Sequence, residues 1–303
     1  MTTSRHGRLA RTHRSDMPTF TTAQIRHYYD RHTRSFVRFG QGGRDGVIHR
    51  AVWGAGVTTR SAAFHYVDDR IAELTRSLPA SSDTSHLVDL GCGIGASLCY
   101  LAERLPVRAT GITLSPVQAR LASERIHEAQ LSDRVTCIQG DYSDMPSSVE
   151  RADLAYAIES FVHAPAPHLV FAACARLIRP RGLLVICDDF RRAAADQAAA
   201  RAIDRFRRGW HINTLLSREE LRNIAQAAGF EHEWTHDLSH ALEMSRTRDR
   251  AIKVIAAVAG WIPFSAERVD YLLGGAALQE CLMNGWIGYD LAVFRKREGN
   301  PQR

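Results

Sequence analysis

Glu159 and His163, in the stretch YAIESFVHAP (Tyr156 to Pro165), have the residue types and spacing for proton chemistry. A carboxylate can act as a fixed negative charge or as a base, and imidazole is the side chain that titrates nearest neutrality. An apolar run precedes the pair and Pro165 closes it, so both follow the end of a buried strand. If the chain turns helical there, positions 159 and 163 share one face. The residues alone leave open which of the two takes a proton.

A second stretch, VDLGCGIG, places Asp89, Gly91, Gly93 and Gly95 after another apolar run. Glycines at the carboxyl end of a strand let the backbone approach a ligand, and the following helix offers free N–H groups to an anion. With Ala96 the spacing also reads GxGxxA, a nicotinamide fingerprint. That fingerprint expects an acid about 20 residues on, where this chain has Thr113. Asp89, just before the glycines, suits instead the cationic end of an amino-acid tail.

The elements that must carry these residues alternate. HLVDLGCG, RATGITLS, VTCIQG, RADLAYAIES and LLVICDDF read as strands. ASLCYLAERL, PVQARLASERIHEAQ (proline in its first turn) and HLVFAACARLIRPRG, stopped by Pro180 and Gly182, read as helices. Strands and helices at this rhythm predict an α/β fold with a doubly wound parallel sheet. Residues 20–78 read as helical, and RRAAADQAAARAIDRFRRGW as a peripheral helix. SREELRNIAQAAGF carries a Ser-x-x-Glu capping box and a glycine stop. EHEWTHDLS and WIGYDLAVFRKRE read as closing strands, with helices over 241–283 between them.

Composition narrows the function classes. Of 303 residues 45% are hydrophobic and 24% charged, as in ordinary globular proteins. No apolar run approaches the ~18 residues of a membrane span. The basic stretch 1–19 lacks the apolar segment of a secretory signal and reads as a flexible arm. The net charge of +6 is nearly all arginine, since only Lys253 and Lys296 are lysines. Without basic runs or aromatic–basic repeats beyond the arm, nucleic acid is a poor partner and anionic small molecules a better one. None of the six cysteines pairs as CxxC, so free thiols and a cytoplasmic setting are expected.

Several of these stretches carry a family resemblance. VDLGCGIG is similar to motif I of class I S-adenosylmethionine (SAM) methyltransferases. GITLSPVQ resembles the second-strand segment of the sterol, tocopherol, cyclopropane-fatty-acid and prenyl-diphosphate methyltransferases, and QGDYSDMP their adenine loop. LIRPRGLLVICD resembles the stretch entering the fifth strand. The resemblance covers about His86 to Asp189 and resumes at Ser217 to Phe230. It implies a Rossmann-like sheet and SAM as cofactor, held by Asp89, Gly91, Gly93, Thr113, Leu114, Gln118, Asp141 (toward the adenine amino group) and Tyr142 (beside the ring).

YAIESFVHAP closely resembles a segment of sterol C-methyltransferases. That resemblance implies methylation of an isoprenoid alkene through a carbocation, with Glu159 and His163 as catalytic residues. The YYDRHTRSFVRFGQG stretch loosely resembles their substrate segment, and GVIHRAVWG a His-containing segment of the prenyl-diphosphate enzymes. Tyr28, Tyr29, His49, Arg50 and Trp53 are therefore expected substrate contacts, as is Trp210 in RGWHINTLLS, since the segment before the capped helix returns to the pocket in the enzymes it resembles. Phe36 and Phe39 are further aromatic candidates, and Arg34, Arg38, Arg44 and Arg50 are candidates to clamp a diphosphate. VRFGQG is less aromatic and more basic than the sterol enzymes' counterpart, which points to a shorter, anionic isoprenoid such as isopentenyl or geranyl diphosphate. A diphosphate can bring Mg2+, although Asp68–Asp69 and Asp188–Asp189 are the only Asp–Asp pairs. The alternative is O- or N-methylation of a small natural product. The expected organisation is a helical cap over 20–80, a core over 86–190 that continues at 217–240 and 285–297, and a cap insertion over 241–283. A homo-oligomer is compatible with all of this.

Overall fold

A computed structural model of the chain describes residues 19–39, 46–79, 84–192, 196–244 and 266–298. Three helices come first: α1 (Thr22–Phe39), α2 (Arg60–Phe64) and α3 (Tyr66–Arg76). The alternating part is β1 (Ser85–Leu90), α4 (Ala96–Arg104), β2 (Val107–Thr113), α5 (Pro116–Glu128), β3 (Val135–Gln139), β4 (Ala152–Ile158), α6 (Pro167–Leu177) and β5 (Ile178–Arg191). Next come α7 (Gln197–Trp210), α8 (Arg218–Ala227), β6 (Phe230–Asp237), α9 (Ala266–Met283) and β7 (Ile287–Lys296).

The seven strands form one sheet in the order β3-β2-β1-β4-β5-β7-β6. The β1 to β5 pairs are parallel, and β7 runs antiparallel to both of its neighbours. This is the class I methyltransferase architecture. The order reverses between β1 and β4, so loops diverge there at the carboxyl ends of both strands and leave a crevice.

Alternation along the central strands divides the core between two faces. Leu87, Leu154, Tyr156 and Leu291 pack on one face with Val67 and Ile71 of α3 and with Leu98 and Leu101 of α4. Val88, Leu90, Ala155 and Ile186 pack on the other with Phe171 of α6 and Phe230.

Local chemistry sets the helix starts. Ser115 accepts from Gln118 N with Pro116 at the first turn of α5, and Ser217 and Glu220 close a reciprocal capping box on α8.

Two expectations need correction. Helix α6 ends at Leu177, and β5 already pairs at Ile178. Pro180 and Gly182 therefore sit in an irregularity of β5, where the register against β4 shifts, and do not stop the helix. Nor is α7 peripheral. Its Phe206 is buried with Val162, Ile212 and Leu278, because a strongly apolar stripe of α7 packs on α9. Within the segment 241–283 only α9 lies among the described residues as a regular helix of more than one turn; 245–265 lies outside them. Residues 1–18 of the arm, Arg44 and the side chains of Arg34, Phe36, Arg38 and Phe39 also lie outside them.

Candidate active site

A cavity opens where the strand order reverses. Its walls come from α1, the 46–50 segment, the β1, β2 and β4 ends, and the start of α9. At its floor the chain leaves β1 through Gly91 (φ 96°), Gly93 (53°) and Gly95 (75°), the last capping α4. These left-handed values favour glycine. At Gly91 a Cβ would also meet the Ser160 Cβ at 2.5 Å.

Asp89 lies beneath this turn, 4% exposed. Burial pushes its carboxyl up to about 8, and among the described residues it forms no salt bridge. A buried acid without a basic partner, next to a glycine turn that lines the same cavity, fits the ammonium end of an amino-acid ligand. On the next strand Thr113 donates to Gln118 Oε1 (2.7 Å), and Gln118 Nε2 donates to Thr33 of α1 (3.1 Å). Thr113, Leu114, Gln118 and Tyr142 all line the cavity.

Glu159 and His163 both line the cavity but do not share a helix face. Glu159 takes φ 50° and donates its N–H to Cys187 O, so the chain leaves β4 in a left-handed turn. Only Phe161–His163 forms one 3-10 turn. A left-handed conformation in a non-glycine residue costs about 1–3 kcal/mol and persists where its surroundings impose it. Here Glu159 Oε1 accepts from Arg50 N (2.8 Å), Arg50 Nε (3.0 Å) and the Tyr289 hydroxyl (2.9 Å). Burial alone would raise the Glu159 carboxyl, but Arg50 holds it below the ordinary carboxylate value.

His163 has a different set of partners. Its Nδ1 lies 3.1 Å from the His211 carbonyl, which only accepts, so Nδ1 carries the proton. Nε2 is then an acceptor, 2.6 Å from the Tyr29 hydroxyl. Burial lowers this imidazole to about 4, which leaves it neutral near pH 7. Asn213 steadies the arrangement, donating to Phe20 O (2.8 Å) and His163 O (2.9 Å) and accepting from Phe20 N (2.7 Å).

The other expected contacts divide. Tyr28, Tyr29, His49, Arg50 and Trp210 line the cavity. Trp210 stacks on Tyr271 at 6.1 Å, a wall residue with no signal in the sequence. Trp53 lies outside; it is 36% exposed because its backbone is drawn toward Ala241 (2.7 Å). Asp141 also misses the wall, since its carboxylate accepts from Ser143 N (2.8 Å) and Thr22 Oγ1 (3.4 Å) and so caps its own turn.

Arg50 is not free to clamp an anion. It bonds Glu159 and Asp189 (2.9 Å) and lies 4.1 Å over the Tyr289 ring. The acid pairs noted in the sequence are likewise engaged. Asp68 meets His65 (2.7 Å) and Asp69 the Tyr100 hydroxyl (2.9 Å), while Asp188 accepts from Val162 N (3.1 Å). Among the described residues no group of three or more His, Cys, Asp or Glu side chains is placed to hold a metal ion. The six cysteines are free. No described helix is long and apolar enough to cross a membrane.

Comparison with known proteins agrees with this geometry. Residues 88–186 match the family described as "Methyltransferase domain". The chain is 29% identical over 202 residues to 27-O-demethylrifamycin SV methyltransferase of Amycolatopsis mediterranei, covering 66% of this chain and 72% of that protein. It is 29% identical over 167 residues to 24-methylenesterol C-methyltransferase 2 of Oryza sativa subsp. japonica, covering 54% of this chain and only 45% of that protein. A solved geranyl diphosphate methyltransferase in complex with GPP and sinefungin superposes with a TM-score of 0.65 at 20% identity, covering 90% of this chain and 97% of that one.

Proposed function

Because this chain is a SAM-dependent methyltransferase, we propose that it methylates an alkene carbon of a mostly apolar small molecule, an isoprenoid, and that the Tyr29–His163 pair takes up the proton released. The observation carrying this reading is the Tyr29 hydroxyl held 2.6 Å from His163 Nε2 in an aromatic-walled cavity above the Asp89 turn.

SAM, when bound, supplies an electrophilic methyl group. Asp89 suits its ammonium, and Gly91 and Gly93 allow it close to the backbone. Thr113, Leu114, Gln118 and Tyr142 offer the remaining wall. An alkene carbon that took this methyl group, the S–CH3 bond breaking to release a neutral thioether, would leave positive charge on the neighbouring carbon. The ring faces of Tyr28, Tyr29, Trp210 and Tyr271 suit such a charge without trapping it. A C–H bond beside the cation then breaks and its electrons close the new double bond. The proton passes to the Tyr29 oxygen while the Tyr29 proton moves to His163 Nε2, giving an imidazolium that His211 O still steadies. A base of pKa about 4 suffices for so strong an acid.

The charge balance of the wall favours a neutral isoprenoid over a diphosphate. Asp89, Glu159, Asp188 and Asp189 all line the cavity, and Arg50, the one arginine in its described wall, is bonded to two of them. Mg2+ would be needed only by a diphosphate.

A second reading, O-methylation of a small natural product, is favoured by the same Tyr29–His163 pair, which can accept a hydroxyl proton, and by the similarity to the rifamycin enzyme. It fits less well, since a base that activates a hydroxyl works best with a pKa near the working pH.

The deciding experiment incubates purified protein and methyl-labelled SAM with isopentenyl, dimethylallyl, geranyl and farnesyl diphosphates and with the corresponding free alcohols, with and without magnesium. Products are analysed by mass spectrometry. A label on carbon supports the C-methylation reading, and methyl ethers would replace it with the second. No product from the panel, with SAM still bound, would overturn the isoprenoid acceptor.

A further inference from the structure

We infer that Glu159 is a positioning residue: it latches the segment that roofs the cofactor turn onto the ends of β4 and β7, and it is neither the base nor the charge that meets the reacting atoms. The inference rests on reading this cavity as the methyl-transfer site.

One oxygen of Glu159 accepts from three donors on two distant parts of the chain. Two of them, Arg50 N and Nε, belong to the roofing segment, and the third, the Tyr289 hydroxyl, belongs to β7. Arg50 is held again through Asp189 and the Tyr289 ring. Of the two carboxylates that pair with Arg50, only Glu159 also binds its backbone N–H. From Arg50 the segment reaches back over the glycine turn. Ile48 comes within 3.6 Å of where a Gly93 Cβ would stand, and His49 Nε2 lies 3.4 Å from Ser97 Oγ. Forward of Arg50 it is pinned by Val52 N to Ala63 O (2.8 Å) and Trp53 N to Ala241 O (2.7 Å). Glu159 is thus the side chain that ties the middle of this roof to the sheet, and the same bonds hold its own left-handed turn. The proton acceptor His163 has an independent set of partners, Tyr29 and His211.

A glutamine carbonyl keeps a neutral acceptor in the same place, whereas alanine keeps none. Removing the roof's anchor is felt first as cofactor affinity, whereas removing a reacting group is felt as kcat at saturating SAM. The test measures SAM Kd by calorimetry, and kcat and its pH profile with the acceptor found above, for the full chain and for E159Q, E159A and Y289F. A latch predicts that E159Q binds SAM within about threefold of the parent, loses less than about tenfold in kcat and keeps the parent's pH profile. E159A should weaken SAM at least tenfold. Y289F, which removes one of the three donors from outside the cavity, should weaken SAM severalfold with little change in kcat. If E159A does not fold, E159Q and Y289F carry the comparison.

The inference is overturned if E159Q and E159A bind SAM like the parent while both lose more than a hundredfold in kcat. It is equally overturned if Y289F and whichever Glu159 variants fold leave SAM affinity untouched. A wrong acceptor assignment shows itself differently, as no turnover by the parent, and the order of SAM affinities still decides the latch.

Discussion

The Tyr29 hydroxyl and His163 Nε2 lie 2.6 Å apart, although 134 residues separate them in the chain. The His211 carbonyl on the other ring nitrogen dictates the direction of the bond, with Tyr29 donating and His163 accepting. The lone pairs of the phenol oxygen are thereby left to the cavity that both residues line. Helix α1 is thus part of the candidate site, and Asn213 holds its start in place.

Replacing either partner should remove proton uptake and leave the cofactor floor intact. Y29F and H163A are expected to lower kcat by about 10²–10⁴-fold, the usual worth of a positioned acid–base group. SAM Kd should stay within a few fold of the parent. Steady-state kinetics with parallel calorimetry checks both; a rise in Kd matching the fall in kcat would place the pair in cofactor binding.

His163 also predicts a pH dependence. Its folded-state value of about 4 lies below the ordinary 6.5. Between these values the unfolded chain binds a proton that the folded chain refuses, so stability rises with pH across this window. The contribution is present above about 6.5 and is lost as pH falls toward 4. Denaturant titrations should show H163Q with a shallower loss of stability over that window, and the acid limb of kcat should fall near 4.

At Asp89 the sign is reversed. Burial raises its carboxyl to about 8. Its contribution to stability is therefore largest below the ordinary value of 3.8 and is lost as pH rises toward 8. An ammonium ligand would favour the charged form, so SAM binding at pH 6.5 should release up to one proton, and affinity should rise between pH 6 and 7.5. Calorimetry in buffers of different ionisation enthalpy measures this release. D89N should bind SAM more weakly and without it.

Arg50 neutralises two carboxylates that are themselves little exposed, Glu159 at 18% and Asp189 at 4% of their side chains. R50A leaves both without their counter-charge. The expected loss of stability is about 3–5 kcal/mol, as for a broken buried ion pair. Urea unfolding of R50A should show it at pH 7, and less at pH 4, where the carboxylates take up protons.

Much of the architecture was legible because its causes are local. The apolar runs ending in glycine at β1, Pro116 and Ser115 opening α5, and the Ser217–Glu220 box on α8 depend on residues within a few positions of one another. So does the alternation of strand and helix that predicts the doubly wound sheet. The glycine turn after β1 was legible for the same reason, since left-handed backbone at Gly91, Gly93 and Gly95 is a property of those residues.

What the tertiary structure alone decided is which side chains meet. YAIESFVHAP announces an acid and an imidazole but not that Arg50 and Tyr289 claim the acid while Tyr29 claims the imidazole. Trp53 left the cavity and Asp141 turned to its own loop because the backbone of one and the carboxylate of the other found nearer partners. Tyr271 entered the wall from a segment whose sequence carries no sign of it. Backbone propensity acts over a few residues, whereas a side chain's partner and its pKa depend on packing between segments a hundred or more positions apart.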